Sequence, residues 1–226
     1  MPTSLGVDVG VRKGLDLVLM GEGGELLEML RGVLVEELGG LIRRMRPDLL
    51  AIDSPPAWGL TGRSRSAERV LAASGIRSFA TPSDPRMAEH TFYQWMKVGF
   101  RCFRLSARHG FPRYRKGPVK GAAMEVFPHP SATVLSGLLP PSGVSKRAWR
   151  HQVLEQAGVA VEHLRSLDQA DAALAALTGI RALSREFMAL GDPEEGVIVL
   201  PAAKLPEGRF PRAASAPAAS PPLQGG

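Results

Sequence analysis

Leu49-Leu50-Ala51-Ile52-Asp53-Ser54-Pro55-Pro56 is an unbroken apolar run with a carboxylate at its end and two prolines that stop it. A strand apolar at successive positions is buried on both faces, as in a parallel sheet covered by helices. Folds of that kind place their sites at the carboxyl ends of the strands. Leu5-Gly6-Val7-Asp8-Val9-Gly10 repeats the pattern, and Ala122-Ala123-Met124-Glu125-Val126-Phe127-Pro128 carries an acid within it. Burying even one unpaired carboxylate costs several kcal/mol, so three strand-borne acids point to a cluster that holds a cation. An aspartate after a strand also begins turns, and that plainer reading stands beside the first.

Working outward, Leu15–Met20 reads as a strand, Gly21-Glu22-Gly23-Gly24 as a turn, and Glu25–Arg31 as its antiparallel partner. Val33–Met45 has helical spacing and Pro47 stops it. A long connection from Ser54 to Pro85 contains a short helix over Ala67–Ala73, and loops of this length in a compact domain are usually functional. It carries Arg63, Arg65 and Arg69, which could clamp a phosphate or neutralise the neighbouring acids. Met87–Arg108 reads as a helix broken near Gly99, and Phe111–Pro118 as a basic loop. After the strand that holds Glu125 come a short helix following His129-Pro130 and a second over Lys146–Gln156.

Ser166-Leu167-Asp168-Gln169 has the capping-box pattern that opens a last long helix. Asp168 in its first turn suits the helix dipole. Asp171 is the one polar residue between Ala170 and Leu177, so it is expected to be buried near the strand acids. A wheel through later turns instead groups it with Arg181 and Arg185 as an exposed acid. Gly196–Leu200 is a final apolar run. The organisation expected is one domain over residues 1–201, with a helical insert at about 60–118 and a disordered Pro/Ala-rich tail over 202–226.

The chain has 226 residues, one cysteine and a net charge of +6. A single cysteine, Cys102, excludes an internal disulfide framework and a cysteine-only metal site. No apolar stretch reaches the ~18 residues of a membrane span, and a soluble, cytoplasmic protein is expected. Between Lys97 and Lys120 lie eight basic residues and no acid: Lys97, Arg101, Arg104, Arg108, Arg113, Arg115, Lys116 and Lys120. Charge gathered in this way is the footprint of a polyanion partner, or else a solvated helix face. The aromatics among and beside them, Phe92, Tyr93, Trp95, Phe100, Phe103, Phe111 and Tyr114, could stack on bases or form the apolar side of that helix.

The order of elements resembles the ribonuclease H-like fold, an α/β architecture with a mixed five-stranded sheet flanked by helices, here with a helical insert. Several motifs together are similar to those of the family catalogued as domain of unknown function 429, described as predicted nucleases: Gly6-Val7-Asp8, Ile52-Asp53-Ser54-Pro55, Arg65-Ser66-Ala67-Glu68-Arg69, Thr81-Pro82-Ser83, Glu125-Val126-Phe127-Pro128, Asp168-Gln169-Ala170-Asp171-Ala172 and Gly191-Asp192-Pro193-Glu194-Glu195-Gly196. The resemblance spans roughly Leu5 to Pro201. It implies that Asp8, Asp53, Glu125 and Asp171 form the catalytic and metal-binding acids, with Asp168 as an auxiliary. It also points to Arg65, Glu68, Arg69, Lys146 and Arg150 as positions the family uses. His129 stands where many relatives have a small residue.

The chemistry so implied is phosphodiester hydrolysis by two Mg2+ or Mn2+ ions, which hard oxygen ligands suit. No zinc-type histidine spacing is present. Nucleic acid is the expected partner, held by Arg63, Arg65, Arg69, Lys97, Arg101, Arg104, Arg113, Arg115, Lys116, Lys120 and Lys146. Two other readings fit: a non-catalytic nucleic-acid-binding module on the same fold, and an actin-like or sugar-kinase-type ATP-binding protein. The second needs two lobes and an adenosine-binding glycine motif, for which the chain is short.

Overall fold

The computed structural model describes residues 1–83, 87 and 89–214. Its first three strands, β1 (Thr3–Val9), β2 (Leu15–Gly21) and β3 (Leu26–Val33), form an antiparallel meander. A 3-10 turn at Val35–Glu37 leads into α1 (Leu38–Met45), so the expected helix from Val33 begins several residues later. Val33 is instead the buried end of β3, and Arg46 closes α1 in the left-handed conformation one residue before Pro47. Then β4 (Leu49–Asp53) pairs in parallel with β1.

Helix α2 (Ser66–Ala73) and α3 (Gln94–Arg108) follow, the latter entered through a 3-10 turn at Thr91–Tyr93. The expected helix from Met87 therefore starts at Gln94, and residues 84–86 and 88 of this region lie outside the described ones. Gly99 does not break α3. It lets the helix lie against Ser54, whose Oγ would stand 1.7 Å from a Cβ placed there. Strand β5 (Ala123–Val126), α4 (Pro128–Ser136), α5 (Lys146–Gln156) and α6 (Leu167–Leu183) come next, then β6 (Met188–Leu190) and β7 (Ile198–Leu200).

The sheet has seven strands in the order β3-β2-β1-β4-β5-β7-β6, not the expected five. Five of them stand in the order 3-2-1-4-5. The addition is β7, parallel to β5, and its antiparallel partner β6, which the three-residue Met188–Leu190 segment is too short to announce in sequence.

Strand periodicity assigns residues to the two faces of the sheet. Leu5, Val7, Leu50, Ile52 and Ala123 join one core with Leu38, Ile42, Cys102 and Phe103, beneath α1 and α3. Leu49, Ala51, Met124 and Val126 face the other way, with Ala175 and Ala182 of α6. The close approach of α6 depends on Gly6, where a Cβ would meet the Ala172 carbonyl oxygen at 2.0 Å and the Ala176 nitrogen at 2.5 Å.

The tail expected from residue 202 is bound down as far as Ala213. Phe210 is buried with Ala67, Leu71, Ile76, Ile198 and Leu200, and its amide donates to the Ser74 carbonyl at 3.1 Å. Leu139 and Ala213 exchange backbone contacts across the same segment, Leu139 donating to Pro211 at 2.7 Å and Ala213 donating to Leu139 at 3.0 Å. Residues 215–226 lie outside the described ones. Among the described residues, no helix is long and apolar enough to cross a membrane.

Candidate functional site

The parallel register pairs Asp8 with Asp53 at the carboxyl ends of β1 and β4. Asp8 shares its face with Gly6, and Asp53 with Ala51, so both point to the α6 side of the sheet. Neither carboxylate has a hydrogen bond or ion pair among the described residues. Burial raises the Asp8 carboxyl from 3.8 to about 8, with further contributions from the negative charges of Asp171, Asp168 and Asp16 and partial relief from Lys13. Burial also holds Asp53 well above the usual carboxylate range, reinforced by Asp8 and then Asp171 and eased by Arg150. At both acids burial and neighbouring carboxylates outweigh the relief that Lys13 and Arg150 give, so negative charge is in excess here.

Asp171 lies on α6 as expected and is partly buried, but it has found a cation. Arg150 of α5 donates from Nε to Asp171 Oδ1 at 2.7 Å. Burial still leaves the Asp171 carboxyl raised. Arg150 lies over the Trp149 ring, 4.8 Å from its centroid, and its Nη1 is buried without a hydrogen-bond partner among the described residues. Asp168, one turn earlier, accepts from Lys13 Nζ at 2.8 Å. His129 packs edge-on against Trp149, and burial with the nearby Arg150 and Lys146 charges lowers its pKa to about 4.

Glu125 does not join the aspartates. It pairs in register with Ile52 and so points to the opposite face of the sheet. There Arg65 grips it with both terminal guanidinium nitrogens, Nη1 to Oε2 at 2.7 Å and Nη2 to Oε1 at 2.5 Å. Arg65 also donates from Nε to Glu68 Oε1 at 3.0 Å, and Thr81 donates to both Glu68 oxygens, its amide at 2.9 Å and its hydroxyl at 2.6 Å. Arg65 is 1 % exposed, so of the two readings of this arginine the structure favours neutralisation of acids. Buried carboxylates need such a partner, and one arginine here serves two.

Among the described residues, no group of three or more Asp, Glu, His and Cys side chains stands close enough to hold a metal ion. The hard-oxygen donors that fit a magnesium-like ion are Asp8 and Asp53, with Asp171 available only if Arg150 releases it.

The remaining basic residues divide. Lys97 pairs with Glu89, Arg101 with Glu36, Arg115 with Glu194 and Lys120 with Asp48. Arg113 is half-buried, with Nη2 donating to the Glu194 carbonyl at 3.4 Å, and Arg69 caps the Ser64 carbonyl at 2.5 Å. Arg63, Arg104, Arg108, Lys116 and Lys146 are exposed with no ion pair among the described residues. Of the aromatics, Phe100, Phe103 and Tyr114 are buried in the core. Asp16 on β2 is a further acid near this site. It is 5 % exposed, opposite Asp8 in the β1–β2 register, and it interrupts the apolar Leu15–Met20 run.

A family model described as a protein of unknown function, DUF429, matches residues 6–195. The chain belongs to this family. No curated protein matches it. Among solved structures, this chain is similar to one titled "Thermus thermophilus RuvC structure", with 15% sequence identity, a TM-score of 0.45, and coverage of 81% of this chain and 95% of that one. A superposition this loose assigns no activity.

Proposed function

We propose that this chain is a metal-dependent nuclease of ribonuclease H-like fold, hydrolysing phosphodiester bonds of nucleic acid. The observation that carries the reading is the Asp8–Asp53 pair: two carboxylates in register on neighbouring parallel strands, both held above their ordinary pKa, with no cation of their own. The sheet order 3-2-1-4-5 within the larger sheet supports the fold assignment. Asp8 and Asp53 would hold a Mg2+ or Mn2+ ion, with Asp171 completing the set on release from Arg150. Such an ion supplies an activated water and stabilises the leaving oxygen. Arg150, on releasing Asp171, would be free to pair with a phosphate oxygen near the acids, and the exposed Arg104, Arg108 and Lys116 would track the backbone at a distance, giving salt-dependent affinity. Glu125 has a structural part in this reading, as the partner of Arg65.

A second reading has an observation of its own. The ion pairs of Asp171 and Glu125 leave two free acids instead of four, as in a module that binds nucleic acid without cutting it. The deciding experiment is a cleavage assay on single-stranded, duplex, hybrid and branched nucleic acids with Mg2+ or Mn2+, beside Asp53→Asn. Metal-dependent cutting abolished in the variant supports the nuclease. Binding that is unchanged by metal or by the substitution, with no cutting of any substrate, leaves the binding module.

A further inference from the structure

Next to Asp53, on the α2 and α3 side, lies a cavity of about 350 Å3 that the acid pair does not explain. Its walls are aromatic. Phe79 lies near-parallel to Phe127, with centroids 6.4 Å apart and planes 22° from each other, and edge-on to Phe92 at 5.4 Å and Trp95 at 6.0 Å. Phe79 and Phe92 are 53% and 46% exposed, an unusual state for two large apolar rings in contact. Core phenylalanines are normally covered, and a small exposed aromatic cluster at the mouth of a cavity marks a ligand site. The volume falls at the low end of ligand pockets, which run ~300–1,000 Å3, so it suits one small planar group and not a duplex.

Charge narrows the occupant. Among the described residues, the one basic side chain lining the cavity, Arg65, is fully engaged by Glu125 and Glu68, and Asp53 is part of the lining. Among the described residues, then, a phosphate or carboxylate finds no free counter-charge there. A neutral flat ring does find stacking surface, and Asp53 of the acid pair adjoins it.

We infer that this cavity receives a single unpaired nucleobase of the strand whose phosphate lies at Asp8 and Asp53, so that the substrate is nucleic acid with an extrahelical or single-stranded base. This rests on the nucleic-acid reading above and deepens it by naming the substrate class. An enzyme that takes one base out of the stack selects sites where unpairing is cheapest, such as mismatches, bulges and single strands. Thr81 also lines the cavity, and since its amide and hydroxyl both donate to Glu68, its hydroxyl oxygen is left to accept from a base edge.

The test uses the full chain in metal-free buffer, so that binding is read without cleavage. The probes are two labelled duplexes of equal length, one with 2-aminopurine as an unpaired bulge and one with it fully paired. The expected results are preference for the bulged duplex, altered 2-aminopurine emission on binding, and a loss of about tenfold in that affinity for Phe79→Ala and Phe92→Ala, the loss expected when one base–aromatic stack is removed. Affinity for the paired duplex should be unchanged in both variants, which also shows that they fold. Equal affinity of the wild type for the two duplexes, equal weakening of both by the variants, unchanged probe emission, or no binding of either overturns the inference. So does competition by free purine nucleoside without any preference for the bulge, which would make the occupant a small molecule. If the bulge preference holds and no substrate is ever cut, the nuclease reading falls and the pocket stands. If cutting occurs without a bulge preference, the pocket alone falls.

Discussion

Replacing Asp8 by asparagine should stabilise the protein, and by an amount that depends on pH. The Asp8 carboxyl is raised from 3.8 to about 8, chiefly by burial and then by Asp171, Asp168 and Asp16. Its native pKa lies above the unfolded one, so between those values the folded state keeps a proton that the unfolded chain has released. Stability is therefore fully present below about pH 4, falls as pH rises, and levels off above about pH 8. The interval corresponds to a ceiling of about 5–6 kcal/mol at 1.36 kcal/mol per pH unit. Asp53 shares the repulsion, and water reaches a carboxylate that is only partly buried, so the asparagine should recover about 2–3 kcal/mol at pH 8.5 and close to nothing at pH 4. Urea unfolding of wild type and Asp8→Asn in chelator-treated buffer, at pH steps from 4 to 9, measures this directly. Adding Mg2+ should stabilise the wild type at high pH and leave the variant unmoved. Stability curves that run parallel across the whole pH range would refute the reasoning, because they would mean that neither burial nor the neighbouring acids penalise the Asp8 carboxylate in the fold.

Arg65→Met should lower stability by about 3–5 kcal/mol at neutral pH, since it leaves Glu68 and Glu125 buried without their shared cation. Part of the loss should return when Glu125→Gln is added, a rescue that denaturant melts of the double variant would detect. Phe210→Ala should cost about 3 kcal/mol, the usual scale for an emptied phenylalanine site, because Phe210 packs into the same small core as Ala67, Leu71 and Ile198. Thermal unfolding of this variant checks whether the segment after residue 202 is part of the cooperative fold, and an unchanged midpoint would remove it.

Much of the architecture was legible along the chain. The apolar runs at Leu5–Val7 and Leu49–Ile52 became the central parallel strands, and Lys146–Gln156 is helical over the residues expected. Ser166 caps α6 through its hydroxyl, which accepts from the Gln169 amide at 3.1 Å, although the Gln169 side chain turns back to the Arg165 amide at 2.7 Å and not to that of Ser166. What failed were segments too short to show a period, such as Met188–Leu190, and one decided by a remote contact, the stretch around Phe210. A three-residue strand gains its stability from the neighbour it pairs with, and an isolated phenylalanine in a Pro/Ala-rich stretch says nothing of the cavity it fills.

For the candidate site the division is sharper. The sequence by itself determined that acids stand at the ends of buried strands, and that Glu125 faces away from Met124 and Val126, because side chains alternate along any strand. Alternation is relative, and it leaves open which face of the sheet α6 covers. Only the tertiary structure decided that Asp8 and Asp53 share the α6 face while Glu125 opens onto α2. It also decided that Arg65, 60 residues away in the chain, neutralises Glu125, and that Arg150 holds Asp171. Whether a carboxylate is a free ligand or a bound partner depends on the charges that folding brings within a few ångströms, and that distance is set by packing, which no local pattern encodes.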